Sequence, residues 1–503
     1  MLEKVLKGSK FYYGWLLALL VLIGIGVLAY INQLVNGLQL TGMSQDVNWG
    51  LYIAQFTFFV GVAASGVMVA IPLYLHDYKE YGPLIIFGEF MAVAAVLVAL
   101  LNVIVDLGYP ARIFNVVLYP TPHSILFWDM VVLSSYLLVN IIIGWTSIAA
   151  ERKGTKPAHW VHVLAIIAIP LAISIHTVTA FIYCGNVGRP FWASAIVACR
   201  FLASAFAAGP ALLLLISFIM GKFTDYKLSD KAVDTVAKTV AYAIIANVFF
   251  FMLEIFTAFY GNSPHHVEPL AYILFGVHGH NQLVPFMWAA AVLIAIGIVI
   301  LLVKKWRQTR GLLIIALLCV FLGCWMDKGI NFVLAGFVPN SFGEIIDYVP
   351  HPNEIMVIVG TFAIGAFVLT LLFKVALAVR EGIAQPEAVQ KSAAARELAE
   401  ELKSAEMEEA VEAAKSERAA REAEEAARKA AEEEAAKAAE EAAKAAEEAA
   451  KAAEEAVEEG AATAENAAEN AASAAENAGE AAEKAPAPEA EAAPETTAEE
   501  AAE

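Results

Sequence analysis

The chain is 503 residues long, 59% of it hydrophobic, and at a formal −19 it looks acidic. A mean hydropathy of +0.62 excludes an ordinary soluble globule, whose apolar share stays near half. The acidity is local. Residues 1–380 carry a formal +4 and the remainder −23, so a nearly neutral apolar body is followed by an acidic tail, and nothing in the charge pattern suits nucleic acid.

A membrane span needs about 20 mostly apolar residues to cross roughly 30 Å of hydrocarbon. In chain order the candidates are 13–35, 49–75, 84–105, 127–149, 160–182, 193–220, 237–260, 270–303, 311–337 and 353–379. They predict an all-α, polytopic membrane bundle of about ten transmembrane helices occupying 1–385. Lys4, Lys7 and Lys10 precede the first apolar run, but no small-residue cleavage site follows it, so the run is read as a retained helix.

Cations fall unevenly between the alternate connections. One set holds Lys4, Lys7, Lys10, Lys79, Arg152, Lys153, Lys156, Lys222, Lys227, Lys231, Lys304, Lys305, Arg307, Arg310, Lys374 and Arg380; the other holds only Arg112, Arg189 and Lys328. The positive-inside rule then puts both termini on the cytoplasmic side of the inner membrane. Cys184, Cys199, Cys319 and Cys324 form no metal-ligand pattern, so no bound metal is expected.

Past the last span the composition turns to Ala, Glu, Lys and Arg. Lys437, Lys444 and Lys451 recur every seven residues with Glu440 and Glu447 four positions ahead of the later two, the favourable order for helix pairs. Residues 386–459 are therefore predicted to be a charged, alanine-rich cytoplasmic helix, and 460–503 a disordered acidic tail.

Ionisable side chains inside a bilayer are expensive, so each needs a reason. Asp129, His176, Arg200 and Glu254 fall toward the outer ends of spans four to seven, Asp106 and Arg112 flank the outer end of span three, and Glu89 lies nearer the cytoplasm. The bland alternatives are an interfacial pairing of Asp106 with Arg112 and a purely structural Arg200–Glu254 pair. Crowding in one layer favours a polar pocket for a ligand headgroup. One haem b, using His176 with His278 or His280, is a lesser alternative, because no second span carries paired histidines.

From Asp46 to Trp145 the sequence resembles the NrfD/polysulfide reductase membrane-subunit family. The resemblance rests on Trp49–Phe56 and the small-residue patch Gly61-Val62-Ala63-Ala64-Ser65-Gly66, on Asp106-Leu107-Gly108-Tyr109-Pro110-Ala111-Arg112, and on Tyr119–Ser124 with Phe127-Trp128-Asp129. With ten spans and an extra first helix, the chain is most similar within that family to the DsrP subunit of the DsrMKJOP complex. The resemblance implies menaquinone as substrate near the outer face and electron exchange with a periplasmic iron–sulfur subunit. It also implies cytochrome b-type, cytochrome c-type and cytoplasmic iron–sulfur subunits as further partners, in dissimilatory sulfur metabolism and with proton translocation as an option.

The family's Asn and His at the start of its first core helix have no exact counterpart here. Tyr52, Gln55, Asp129 and His176 are the substitutes expected to bind quinone, by depth and chemistry. Arg200, Glu254 and Glu89 are the candidates for proton transfer or gating, and Asp106–Arg112 for a structural ion pair at the outer face. A secondary transporter or a purely structural membrane anchor are the rival readings; no internal repeat supports the first.

Overall fold

The structure is a computed structural model and describes residues 7–76, 82–224, 226–380 and 387–458. It divides into two compact units, Met1–Ala393 and Ala394–Glu503. Among the described residues the only extended pairing is an isolated bridge between Val277 and His280. Their remaining regular structure is helix.

The principal helices are α1 (Lys10–Asn36), α2 (Leu51–Val62), α3 (Ser65–His76), α4 (Gly82–Asp106), α5 (Ile125–Arg152), α6 (His159–Cys184) and α7 (Ile196–Phe223). They continue as α8 (Asp230–Gly261), α9 (Pro264–Leu274), α10 (Val284–Leu302), α11 (Arg310–Cys324), α12 (Pro352–Arg380) and α13 (Glu387–Glu458). After α11 the chain runs on through a π-helical segment, Trp325–Asn331, into a last turn at Phe332–Ala335. Ten stretches among the described residues are long and apolar enough to cross a membrane, with α2–α3 and α11–Ala335 each counting once.

Two spans depart from the regular helices that hydropathy predicts. The second is interrupted at Ala63–Ala64, where the freed Ala63 carbonyl accepts from the Tyr136 hydroxyl at 2.9 Å. A neighbouring side chain thus satisfies the backbone that lipid cannot. The eighth starts at Val284 rather than near 270, because Gly276, His278 and Gly279 take positive φ and turn the chain out of helix.

Lipid gives no hydrophobic drive for helix association, so close contact must come from shape. The first span shows this. A Cβ on Gly26 of α1 would lie 2.4 Å from the Gly360 Cα of α12, so the two backbones touch through paired glycines. Asn353 Nδ2 then donates to Ala29 O at 3.0 Å across the same seam. Around the bundle α1 turns Leu17, Leu20, Val21 and Leu28 outward, whereas α2 buries almost every side chain. The second span is the most buried of the membrane bundle.

The connections 37–50, 185–195, 275–283 and 336–351 gather at one end of the bundle. Arg189 donates to Asp46 O at 3.2 Å and Phe337 O at 3.3 Å, and Asn340 Nδ2 to Asp46 Oδ1 at 3.0 Å. At the opposite end Arg380 pairs with Glu151 at 3.0 Å and Arg307 with Asp234 at 2.8 Å.

By itself, α13 is one continuous helix of 72 residues, about 110 Å at 1.5 Å per residue. It carries the i,i+4 pairs Glu433–Lys437, Glu440–Lys444 and Glu447–Lys451 on exposed side chains. The tail expected to be disordered, 460–503, and Lys79 lie outside the described residues.

Candidate functional site

Successive faces of α2 meet different neighbours. Tyr52 donates its hydroxyl to Gln33 Oε1 of α1 at 2.6 Å. Gln55 Oε1 accepts from Trp325 Nε1 of the π segment at 2.6 Å. Thr57 shares a short hydroxyl contact with Tyr183 of α6. Residues three or four apart share a helix face and those two apart do not, so Tyr52 and Gln55 look to one side of α2 and Thr57 to another.

On the Gln55 side a cavity of about 520 Å³ opens at the loop-gathering end, a size ordinary for small-ligand sites. Its walls are Leu51, Phe286, Ile330, Ile358 and Phe362, and its polar groups are Gln55, Gln282, Trp325 and Tyr348. Among the described residues no charged side chain lines it. Gln55 spends its carbonyl on Trp325, which turns the amide NH₂ into the group free to donate to a ligand oxygen.

Behind this wall Glu354 is fully buried. Its carboxylate accepts from Gly42 N at 2.9 Å, from Leu51 N at 3.2 Å and from the Tyr348 hydroxyl. Burial and this neighbouring carboxylate hold the Tyr348 phenol well above its ordinary range. Beside the cavity, Asp347 accepts from Tyr272 at 2.8 Å and pairs with His280 Nδ1 at 2.7 Å. Burial and that bond raise the Tyr272 phenol as well. The His–Asp–Tyr group is partly exposed, and Gln282, two residues from His280, lines the cavity.

A second, charged environment is closed inside the bundle. Arg200 Nη1 reaches Glu254 at 2.5 Å and Nη2 reaches Asp327 at 2.9 Å, all three nearly excluded from solvent. Asn247 Nδ2 donates to the other Asp327 oxygen at 3.4 Å, and the guanidinium lies 4.5 Å from the Phe251 ring centre. The space that Arg200, Asn247 and Asp327 enclose with Ser204 and Lys328 is about 10 Å³, enough for one water. Arg200 thus has a partner for each end of its fork.

The four residues expected to bind quinone are dispersed. Gln55 faces the cavity; Tyr52 stands behind it, bonded to Gln33. Asp129 accepts from Thr179 of α6 at 2.7 Å. His176 is fully buried one turn away on the same helix, with no hydrogen-bond partner on either ring nitrogen. His176, Thr179 and Tyr183 form a polar stripe toward α2 and α5. Glu89 is buried on α4 with one oxygen unpartnered, and the expected Arg200–Glu254 contact is present with Asp327 added.

Two expectations are corrected. Asp106 and Arg112 do not pair: Asp106 Oδ1 has no hydrogen-bond partner, while exposed Arg112 lies 5.1 Å from the Tyr109 ring centre. The helical turn at Pro110–Phe114 carries the guanidinium away from the end of α4. Lys328 is not in an outer connection but buried in the π segment. Trp325, Asp327, Lys328, Tyr348 and Glu354 are the site residues that hydropathy overlooked. A signal for two of them existed, since Asp327-Lys328 interrupts the ninth apolar run.

Residues 39–336 match the family described as Polysulphide reductase, NrfD. The matched stretch omits α1, α12 and the tail. Over 232 residues the chain is 34% identical to a putative dimethyl sulfoxide reductase membrane subunit of Halobacterium salinarum, a match covering 42% of this chain and 53% of that protein. It is 25% identical over 358 residues to a selenate reductase subunit of Mesobacillus selenatarsenatis, covering 63% and 81%. To an Hdr-like menaquinol oxidoreductase integral membrane subunit of Archaeoglobus fulgidus it is 25% identical over 252 residues, covering 50% and 62%. The chain thus spans about half the length of the first of these. None of the three is named as a DsrP subunit, so what the comparisons show is the family. With ten spans and more than half its length matched, the chain belongs to the NrfD polysulfide reductase family of multi-pass membrane proteins.

Proposed function

We propose that this chain is the quinone-exchanging membrane subunit of an anaerobic respiratory complex and that the Gln55–Trp325 cavity holds the quinone headgroup. The observation that carries this reading is the cavity itself: uncharged, largely apolar, and furnished with a few polar groups near one membrane face. A quinone ring needs an apolar slot with hydrogen-bond groups at its two oxygens, and its isoprenoid tail needs an exit to lipid. Gln55 and Gln282 supply donors, and Trp325 fixes Gln55 in position.

Oxidation of a quinol releases two electrons and two protons. The electrons pass to a redox centre in a partner subunit, since the cysteines here form no cluster-ligand pattern. Two of the relatives are named as membrane subunits, which supports such partners. An iron–sulfur subunit seated over the loop-gathering end, taken as periplasmic from the cation bias, is the partner this reading requires. A relative named as a menaquinol oxidoreductase supports menaquinone as the substrate. Relatives named for dimethyl sulfoxide and selenate reduction make sulfur metabolism one of several acceptor chemistries.

Protons leave by His280 and Asp347 at the rim, and Asp129, His176 and Glu89 line an inner route. The test is quinol oxidation by the purified complex carrying Gln55→Leu or Trp325→Phe. Turnover falls about tenfold with assembly intact if the cavity is the site, as expected for loss of a headgroup hydrogen bond. Unchanged turnover in both variants refutes it.

A further inference from the structure

Two cations are buried in the charged interior, and only one has a counter-ion. Arg200 takes both available carboxylates, Glu254 at 2.5 Å and Asp327 at 2.9 Å. Lys328, 4% exposed, has no carboxylate within ion-pair distance among the described residues. Its Nζ meets the Phe201 carbonyl at 3.4 Å and the Phe201 ring centre at 4.3 Å. Space is reserved for it on α2, where a Cβ at Gly61 would sit 3.0 Å from the Nζ. An ammonium desolvated without a partner is costly, so its retention asks for a use. Arginine holds its proton in proteins, whereas a lysine amine can release one.

Position supplies the use. Trp325 and Ile330 line the large cavity, whereas Asp327 and Lys328 line the single-water space. Both pairs belong to the seven-residue π segment Trp325–Asn331. Such segments are rare insertions found frequently at functional sites. Asn331, at the end of the segment, is buried with both amide atoms unpartnered. What enters the cavity against Trp325 therefore acts on the same turn of backbone that holds Lys328.

We propose that Lys328 is a proton-binding group linked to occupation of the cavity, giving up its proton to a water in the adjoining space, or regaining it, as a ligand packs against Trp325. The step is a proton transfer only: the N–H bond of the ammonium breaks, the nitrogen keeps the electron pair, a water in that space accepts the proton on a lone pair, and the proton passes on to the bulk buffer; regaining it runs the same step in reverse. The linkage is reciprocal, so the charge on Lys328 also sets affinity at the cavity. The titratable and charged groups around Lys328 are Asp327 and Cys324 on its own span, Arg200 on α7, Glu254 on α8 and His176 on α6. Tyr52 on α2 is bonded away to Gln33, and α10 has no ionisable residue. This inference rests on the cavity being the quinone site.

The test uses the assembled complex in nanodiscs and menadione, a naphthoquinone that does not itself titrate. Calorimetry in two buffers of different ionisation enthalpy counts the protons exchanged per menadione bound. In the wild-type complex the count is non-zero and the Kd changes by up to about tenfold per pH unit, the limit for one linked proton. In Lys328→Arg, which keeps the charge, menadione still binds but the Lys328-dependent proton and its pH dependence are lost; Lys328→Met gives the same loss. A wild-type count of zero, or an undiminished count in Lys328→Arg, overturns the proposal whether or not the methionine variant folds. Failure of menadione to bind the wild-type complex refutes the cavity reading and takes this inference with it. Binding without a Lys328-dependent proton refutes this inference alone.

Discussion

The two sides of the π segment are opposites. On one lies a cavity of about 520 Å³ with no charged side chain among its described walls; on the other a space of about 10 Å³ is bounded by Arg200, Asp327 and Lys328. A few residues of a single span contribute to both. Room without charge suits a neutral ring-shaped ligand, because nothing must be desolvated to admit it. Charge without room suits no ligand larger than water, and its electrostatic energy goes into fixing three helices.

The comparison breaks most violently at Arg200. In Arg200→Leu, Glu254 and Asp327 lose their shared cation inside the bundle, and uncompensated buried charges of this kind cost about 3–5 kcal/mol. Thermal unfolding in detergent should show a large loss of stability or no folded protein at all. A small change would mean that water reaches the cluster freely.

On the cavity side the effect should be functional instead. Trp325→Phe keeps an aromatic ring but loses the indole's second ring and the donor to Gln55, so stability should move by only about 1–2 kcal/mol while quinol turnover drops about tenfold. Equal damage to fold and turnover would erase the distinction between the two regions.

Alkaline titration sharpens the comparison at the two ends of the bundle. Burial pushes the Tyr226 phenol up to about 12, and burial together with a carboxylate neighbour raises Tyr272 and Tyr348. Each phenol is neutral when protonated and its folded value is raised. The stability it contributes is therefore complete below the unfolded value near pH 10 and lost as pH climbs through the folded value. Phenolate absorbance should show these three ionising above pH 10 and together with unfolding, and Tyr348→Phe should remove part of that alkaline loss. Titration of all three near pH 10 with the fold intact would contradict the burial.

The smallest effect belongs to α13. Its pairs are exposed, and such pairs are worth a few tenths of a kcal/mol at most and are screened by salt. Lys444→Ala should leave helicity by circular dichroism nearly unchanged, even at low salt. A large drop would point to a packed helix.

Hydropathy was enough to find ten spans, because twenty apolar residues in a row admit few other fates. It also singled out Arg200 and Glu254, since a charged group in an apolar run stands out by itself, whereas Gln55 was reached only through the family resemblance. It counted Lys328 with the outer connections although the residue falls inside the predicted span 311–337, because a charged Asp-Lys pair reads by composition as a break in a span rather than as part of its helix. The expected Asp106–Arg112 pair failed because six residues of separation says nothing about the direction of the helical turn at Pro110–Phe114. Glu354 went unnoticed at the mouth of its span, where a carboxylate normally meets water; here it is buried by Tyr348 and two backbone amides.

What the sequence by itself determined is the medium this protein lives in, the number of its spans and the residues that had to be explained there, because the cost of placing a charge in hydrocarbon is local to each segment. What only the tertiary structure decided is which of those residues meet. Gln55 and Thr57, two apart in sequence, face a cavity and a neighbouring helix respectively. Gln55 and Trp325, 270 apart, share a hydrogen bond. Helical periodicity assigns each side chain a direction, but the partner waiting in that direction is set by how ten helices pack.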